Sequence, residues 1–195
     1  FPHSSLWLAG AALTRPDGLL IAVCVLAARA GLERARRQFA WPAALRAIAI
    51  VVLPVAAQLL FRWLYYGDLV PNTYHAKVGG RSWWSGGSLY LASFALEYAA
   101  WFWLPLLAAG AAALLRAGRS EFPLLCAAVV LPHALYLASI GGDHFEYRPL
   151  DLYLPLGALL AFHGVCALQR CAARFRSALP LAALAAWSCA RIAPE

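Results

Sequence analysis

Residues 45–64 read "LRAIAIVVLPVAAQLLFRWL", a run whose only charged side chains are Arg46 and Arg62, near its two ends. A helix that crosses the hydrocarbon core of a bilayer needs about 20 predominantly apolar residues. Further runs of this kind lie within 89–115, at 122–140 and at 152–168. The sequence therefore predicts an all-α fold, a polytopic transmembrane helix bundle with short outward loops.

The composition also indicates a membrane protein. Of the 195 residues, 63% are hydrophobic and 13% are charged, whereas soluble domains are about 45–50% apolar and about 25% charged. The five cysteines lie in or beside apolar stretches and form no CxxC pair, which favours buried thiols over disulfides or a metal site. We expect residues 1–195 to form a single transmembrane domain.

Shorter apolar runs lie at the two ends of the chain. Residues 6–13 and 18–30 are each short for a span. They predict either one span broken at "TRPDG" (14–18) or a pair of short helices that dips into the bilayer. The run at 179–193 predicts a partial span. Prolines inside the apolar runs predict kinked helices, because neighbouring helices and waters can satisfy the carbonyls that proline frees. These are Pro54, Pro105, Pro132 and Pro155.

The arginines predict which loops share a side. Most of them lie in three alternate loops, at 29–46, 116–121 and 169–176, and the positive-inside rule places such loops in the cytoplasm. The loops at 14–18, 65–88 and 141–151 then face outward, on the periplasmic or extracellular side of a bacterial inner membrane. Since this topology accounts for the net charge of +7, no nucleic-acid partner is expected.

The first two outward loops each allow a functional and a structural interpretation. In "TRPDG", Arg15 and Asp17 form either a functional site near membrane depth or a simple turn in which Asp17 caps the next helix. In the 65–88 segment, Lys77 and Arg81 could hold a phosphate. Alternatively, that segment is an anchoring loop whose cations pair with lipid headgroups.

The third outward loop, "GGDHFEYRPLD" (141–151), is the most densely charged. Its two glycines permit backbone conformations that other residues avoid. Asp143, His144 and Glu146 have the chemistry of divalent-cation ligands, although their spacing is not a specific metal motif. Arg148 could grip a phosphate, or pair with Glu146 or Asp143 in a self-neutralising loop.

Three polar residues interrupt the apolar runs. His133 and His163 predict hydrogen bonds between helices. Glu97 is expected to face the interior of the bundle, because an unpaired carboxylate against lipid would be costly.

Three outward stretches, taken together and in order, resemble a known group of enzymes. They are "LTRPDGLL" (13–20), "YYGDLVPNTYHAK" (65–77) and "GGDHFEYRPL" (141–150). They resemble bacterial polytopic glycosyltransferases of the GT-C superfamily, in the group that includes the mycobacterial terminal β-arabinofuranosyltransferase.

This resemblance implies an inverting transfer of a sugar from a polyprenyl-phosphate donor to a glycan, lipid or protein acceptor of the cell envelope, at the outer face of the membrane. Such enzymes must stabilise charge on the leaving phosphate and activate a hydroxyl nucleophile. No cofactor is required, although a divalent cation is possible. From the chemistry of the side chains we assign the following roles: donor phosphate binding by Arg15, Lys77 and Arg148; sugar binding by Asp17, Asp68, Asn72 and His144; catalysis by Asp143 and Glu146.

The resemblance also implies that the chain is an internal fragment. The family's general base is expected upstream of Phe1 and further helices after Glu195, so that the fragment alone could be inactive. Two other classes stay open. One is a transporter or flippase for a lipid-linked or anionic substrate, which would place charges near the bilayer midplane. The other is a non-catalytic membrane subunit with anchoring loops.

Overall fold

The computed structural model describes residues 2–15, 17–69, 83–143 and 146–173, and this part of the chain is all-α, as predicted. A 3-10 helix, Arg148–Leu152, precedes the last α-helix. The α-helices are α1 (Pro2–Thr14), α2 (Gly18–Ala35), α3 (Trp41–Tyr66), α4 (Trp84–Glu97), α5 (Ala100–Arg116), α6 (Glu121–Ile140) and α7 (Tyr153–Ala173).

Within the described ranges, three helical segments are long and apolar enough to cross a membrane: Trp41–Tyr66, Glu121–Ile140 and Arg148–Arg170. Only 17%, 33% and 11% of their apolar windows, respectively, is buried within the protein. Large apolar side chains on them face outward; Leu131 is 63% exposed and Phe162 is 62% exposed. Contiguous apolar surface of this kind is costly in water and requires lipid as its solvent. Three of the four predicted spans are thereby confirmed.

The fourth run, within 89–115, is not one straight helix. It is divided between α4 and α5, whose axes are bent by 83°. The break contains Ala99, which adopts a left-handed backbone conformation with φ of 49°. Just before the break, Glu97 at the end of α4 accepts a hydrogen bond from the Tyr147 hydroxyl. The end of α4 therefore lies against the loop that follows α6.

The first two helices form a short helical pair, one of the two predicted alternatives. Ala9 of α1, Ala22 of α2 and Val51 of α3 form a buried cluster, flanked by Leu8 and Leu26. Ala9 and Ala22 lie at similar distances from the turn that joins their helices, so α1 and α2 pack side by side. A single span broken at "TRPDG" would not bring these residues together.

The prolines were predicted to kink helices. Pro54, Pro105 and Pro132 do lie inside α3, α5 and α6. For Pro155 the prediction is wrong, because this residue lies in the first turn of α7. A helix tolerates proline there, since the amides of its first turn have no partner within the helix.

The described turns gather at two ends of the bundle. At one end, an ion pair between Arg36 and Glu121 joins the turn after α2 to the start of α6. At the other end, the Trp83 amide donates to the Ser139 carbonyl (2.9 Å) and the Tyr90 hydroxyl to the Glu146 carbonyl (2.8 Å). We call these the basic end and the motif end. Which membrane face each occupies stays a prediction, and residues 179–193 lie outside the described part.

Close helix contacts hold the bundle together. A β-carbon on Gly87 of α4 would overlap the Ala138 backbone of α6, and one on Gly110 of α5 would overlap the Leu160 carbonyl of α7. Small residues are used in this way in membranes because they let helix backbones approach closely. The α4–α6 contact in turn positions α4 beside the 141–147 loop.

Candidate functional site

The centre of the motif end is a buried carboxylate, Asp17, in the turn between α1 and α2. Asp17 is only 6% exposed. The Arg15 guanidinium donates two hydrogen bonds to it, from Nε to Oδ1 (3.0 Å) and from Nη2 to Oδ2 (3.1 Å). A third hydrogen bond joins Oδ2 to Nε2 of His133, which lies 2.9 Å away. Asp17 is the N-cap residue of α2, but its side chain makes no capping hydrogen bond, so the predicted capping turn is not what the structure contains.

His133 connects this turn to the last two helices. It lies in α6, about two helical turns before the end of that helix, and is 0% exposed. Its Nδ1 lies 3.1 Å from the Tyr153 hydroxyl at the start of α7. The prediction of an interhelical hydrogen bond at His133 is confirmed. A continuous polar chain, Arg15–Asp17–His133–Tyr153, therefore links the first motif to two residues that stand on either side of the third.

The hydrogen bonds fix the ionisation state of Asp17. Burial by itself would raise the pKa of this carboxyl, but the hydrogen bonds from His133 and Arg15 and the charge of Arg15 outweigh burial and lower the pKa below its ordinary 3.8. Because an ionised carboxylate can only accept hydrogen bonds, Nε2 of His133 must carry a hydrogen, and this N–H donates the hydrogen bond to Oδ2. The Arg15 charge, with a side chain 39% exposed, reaches the surface beside a carboxylate that offsets it.

A second feature of the motif end is an open cavity of about 380 Å³. Rings from α4 and the 141–147 loop surround it, and the Tyr90 and Tyr147 centroids lie 5.3 Å apart. The Tyr147 hydroxyl donates to Oε1 of Glu97 (2.7 Å), and this bond raises the pKa of Tyr147. The lining residues are Tyr90, Glu97, Tyr98, Asp143, Glu146 and Tyr147.

The backbone of the third motif loop is shaped for this cavity. Gly141 and Gly142 have φ values of 90° and 85°, as the sequence predicted from their conformational freedom. A β-carbon on Gly142 would overlap the Tyr90 ring. Glu146 has a φ of 46° although it is not glycine. Such a conformation is strained, and strain of this kind clusters at functional sites.

The structure brings some of the predicted site residues together. Arg15 and Asp17 are paired, and Asp143 and Glu146 line the cavity. Arg148 is exposed at the start of the 3-10 helix and forms no ion pair with a described residue. Asp68 lies half-buried just after α3. The remaining predicted residues lie outside the described part of the chain: Asn72, Lys77, Arg81 and His144.

Glu97 does not face the bundle interior: it is exposed at the end of α4, where Tyr147 binds it. Within the described ranges, no three His, Cys, Asp or Glu side chains lie close enough to hold a metal ion. Since His144 lies outside those ranges, a divalent cation at this loop stays a prediction.

Sequence reasoning missed the tyrosines of the site. Tyr147 stands inside the third motif and Tyr153 just beyond it, so their position was a usable signal. Tyr90 and Tyr98 carried no such signal, because aromatic residues are common at the ends of membrane helices. Tyr153 lies within electrostatic range of both Asp17 and Tyr90, so the buried chain and the cavity are neighbours.

These features define a helical membrane protein with a buried carboxylate–histidine pair and an acidic, tyrosine-lined cavity at one end. Two curated relatives carry the name terminal β-(1→2)-arabinofuranosyltransferase. The chain is 33% identical to the Mycobacterium tuberculosis protein over 182 residues, which cover 78% of this chain and 27% of that protein. It is 34% identical to the Corynebacterium glutamicum protein over 128 residues, covering 58% of this chain and 18% of the relative.

The similarity confirms the resemblance drawn from the three motifs. The chain spans about a quarter of the length of the first relative and less than a fifth of the second. No protein-family profile matches the chain, and no solved structure matches it.

Proposed function

We propose that this chain is part of a membrane glycosyltransferase that moves a sugar from a polyprenyl-phosphate donor to a cell-envelope acceptor, with inversion. The names of the two relatives support arabinofuranose as the sugar. The observation that carries the proposal is the buried hydrogen bond between Asp17 of the first motif and His133, 116 residues away in the helix that leads to the third motif. We place this end at the periplasmic face of a bacterial inner membrane.

The chemistry requires a base. In an inverting transfer, the acceptor hydroxyl oxygen attacks the anomeric carbon while the bond from that carbon to the phosphate oxygen breaks. A carboxylate takes the hydroxyl proton, and polyprenyl phosphate leaves with the bonding electrons. Asp143 and Glu146 are the carboxylates proposed for this role, because they line an open cavity. Asp17 is less suited to direct contact, since its oxygens already accept three hydrogen bonds.

The chemistry also requires a cation for the departing phosphate. Arg148 is the strongest choice in the described part, because it is exposed, follows the cavity loop closely in sequence and has no carboxylate partner there. Arg15 contributes less charge because Asp17 offsets it. Lys77 is kept as a third proposed contact from the second motif.

The tyrosines suggest where the acceptor sugar would lie. A cavity of about 380 Å³ is within the range of small-ligand sites. Aromatic rings pack against the apolar face of a sugar ring, while carboxylates accept hydrogen bonds from its hydroxyls. Tyr90, Tyr98 and Tyr147 are the rings proposed for this contact.

The test is transfer by the full-length protein from a synthetic polyprenyl-phosphate arabinofuranose to an oligosaccharide acceptor. We expect Arg148→Ala and Asp143→Asn each to lower kcat by roughly 100-fold or more, the effect of losing one group that stabilises the transition state. Arg148→Lys should retain part of the activity. Arg116→Ala, at the basic end, is the matched control and should behave as wild type.

Membrane insertion and yield are measured for every variant, so that a misfolded protein is not counted as an inactive one. Wild-type transfer in both Arg148→Ala and Asp143→Asn would refute the site assignment and favour the non-catalytic subunit with anchoring loops.

One observation favours the transporter or flippase as the second candidate. The Asp17–His133 pair is buried, and buried ionisable pairs of this kind serve proton-coupled carriers. A proteoliposome assay separates the two candidates. Movement of a lipid-linked sugar across the bilayer that Asp17→Asn abolishes, without any sugar transfer, would support the carrier.

A further inference from the structure

A larger cavity, of about 550 Å³, lies at the basic end, opposite the motif loops. It is formed where the turn after α2, the α5–α6 turn and α7 meet. Both charged and apolar side chains line it, together with His163. The charged ones are Arg36, Arg119 and Glu121; the apolar ones are Leu114, Phe122 and Leu159.

The charges in this cavity do not cancel. Arg36 is paired with Glu121, so the carboxylate is neutralised and does not repel an anion. Arg119 is exposed and has no ion pair within the described ranges. One guanidinium is therefore left over, and a guanidinium is well suited to hold a phosphate through two parallel hydrogen bonds.

The apolar wall narrows the class of ligand. Leu159 is 52% exposed, whereas Leu114, also in the lining, is buried. An inorganic phosphate would use the arginines and leave this wall without a partner. A phospholipid would place its phosphate on the arginines and its acyl chains along the wall.

We propose that this cavity binds the phosphate of an anionic bilayer phospholipid, with Arg119 as the principal contact. Basic pockets between membrane helices on the cytoplasmic side bind lipid headgroups by this combination of charge and apolar surface. The site is separate from the sugar-transfer site and does not depend on the proposed function.

The test measures phosphatidylglycerol binding to the full-length protein in a neutral detergent, by native mass spectrometry, with phosphatidylcholine as the uncharged comparison. Arg119→Ala should weaken phosphatidylglycerol binding about tenfold, the loss of one charge-assisted hydrogen bond. Arg116→Ala removes the same charge one turn away, outside the cavity lining. It should change binding less than about threefold, because salt screens exposed charges.

A second variant tests the apolar wall without changing charge. Leu159→Trp should also weaken phosphatidylglycerol binding, because the larger side chain occupies the cavity. Equal effects of Arg119→Ala and Arg116→Ala, or no effect of either, would overturn the site. Displacement of the lipid by glycerol phosphate at similar concentrations would overturn the lipid assignment and indicate a soluble phosphate ligand.

Discussion

The substitution Asp17→Asn tests the buried polar chain most directly. Asparagine keeps the shape of the side chain and removes its charge, so the bonds from Arg15 and His133 lose their charge assistance. His133 is fully buried, and a hydrogen bond to a charged group contributes about 1.5–3 kcal/mol. Arg15 adds little, since its side chain is 39% exposed and exposed ion pairs contribute about 0–1 kcal/mol.

In a membrane, the free energy that a hydrogen bond contributes to folding is smaller than this. Hydrogen bonds between membrane helices average only about 0.6 kcal/mol, with a maximum near 1.7, because the unfolded chain in lipid also finds partners. We therefore expect Asp17→Asn to lower the free energy of unfolding by about 1–2 kcal/mol. The measurement is reversible unfolding of the full-length protein in bicelles by added denaturing detergent.

The control and the refuting result are both specific. Asp151→Asn removes an exposed acid at the same end and should change stability by less than about 0.5 kcal/mol. A double-mutant cycle of Asp17→Asn with His133→Leu should give a coupling energy of about 1 kcal/mol. If Asp17→Asn is no more destabilising than Asp151→Asn, and the coupling is near zero, the polar chain does not stabilise the fold.

Three further predictions concern pH and glycine. The pKa of Asp17 in the folded protein lies below its ordinary 3.8, so the stability that Asp17 contributes is present above pH 3.8 and is lost as the pH falls through the folded pKa. In acid unfolding series, the difference in unfolding free energy between wild type and Asp17→Asn should therefore shrink below pH 4. Gly110→Ala should cost about 1–3 kcal/mol of unfolding free energy by overpacking α5 against α7, whereas Gly10→Ala, which has open space around it, should be neutral or slightly stabilising in the same assay. Gly142→Ala should destabilise the protein more than Gly118→Ala. A left-handed backbone costs each alanine about 1–2 kcal/mol, but only the alanine at 142 would also overlap a side chain, that of Tyr90. Equal decreases in the thermal unfolding temperature would contradict this.

The spans were predictable because they are a local property of the chain. A run such as 45–64 has the length and apolarity of a membrane helix wherever it stands, and it lies inside the observed α3. The break at Ala99 was not predictable, since neither glycine nor proline marks it. It is held by tertiary contacts, above all the Tyr98 and Tyr147 rings, whose centroids are 5.7 Å apart.

The candidate site was predictable only in its parts. A histidine within an apolar run must find a hydrogen-bond partner, and His133 does so. That its partner is Asp17 depends on how α1 and α2 dock against α6, which no local pattern encodes. The prediction that Glu97 faces the bundle interior was wrong for the same reason, because the helix ends at this residue and Glu97 lies beside the 141–147 loop.

The pairing of Arg15 with Asp17 has a consequence for biogenesis. The two residues are close neighbours in sequence, so their charges can cancel as soon as the α1–α2 turn is made, long before His133 is synthesised. A hairpin whose tip is already neutral crosses into lipid without the cost of an isolated charge. We therefore predict that the α1–α2 hairpin inserts without the later helices, and that His133 stabilises its position after α6 has been made.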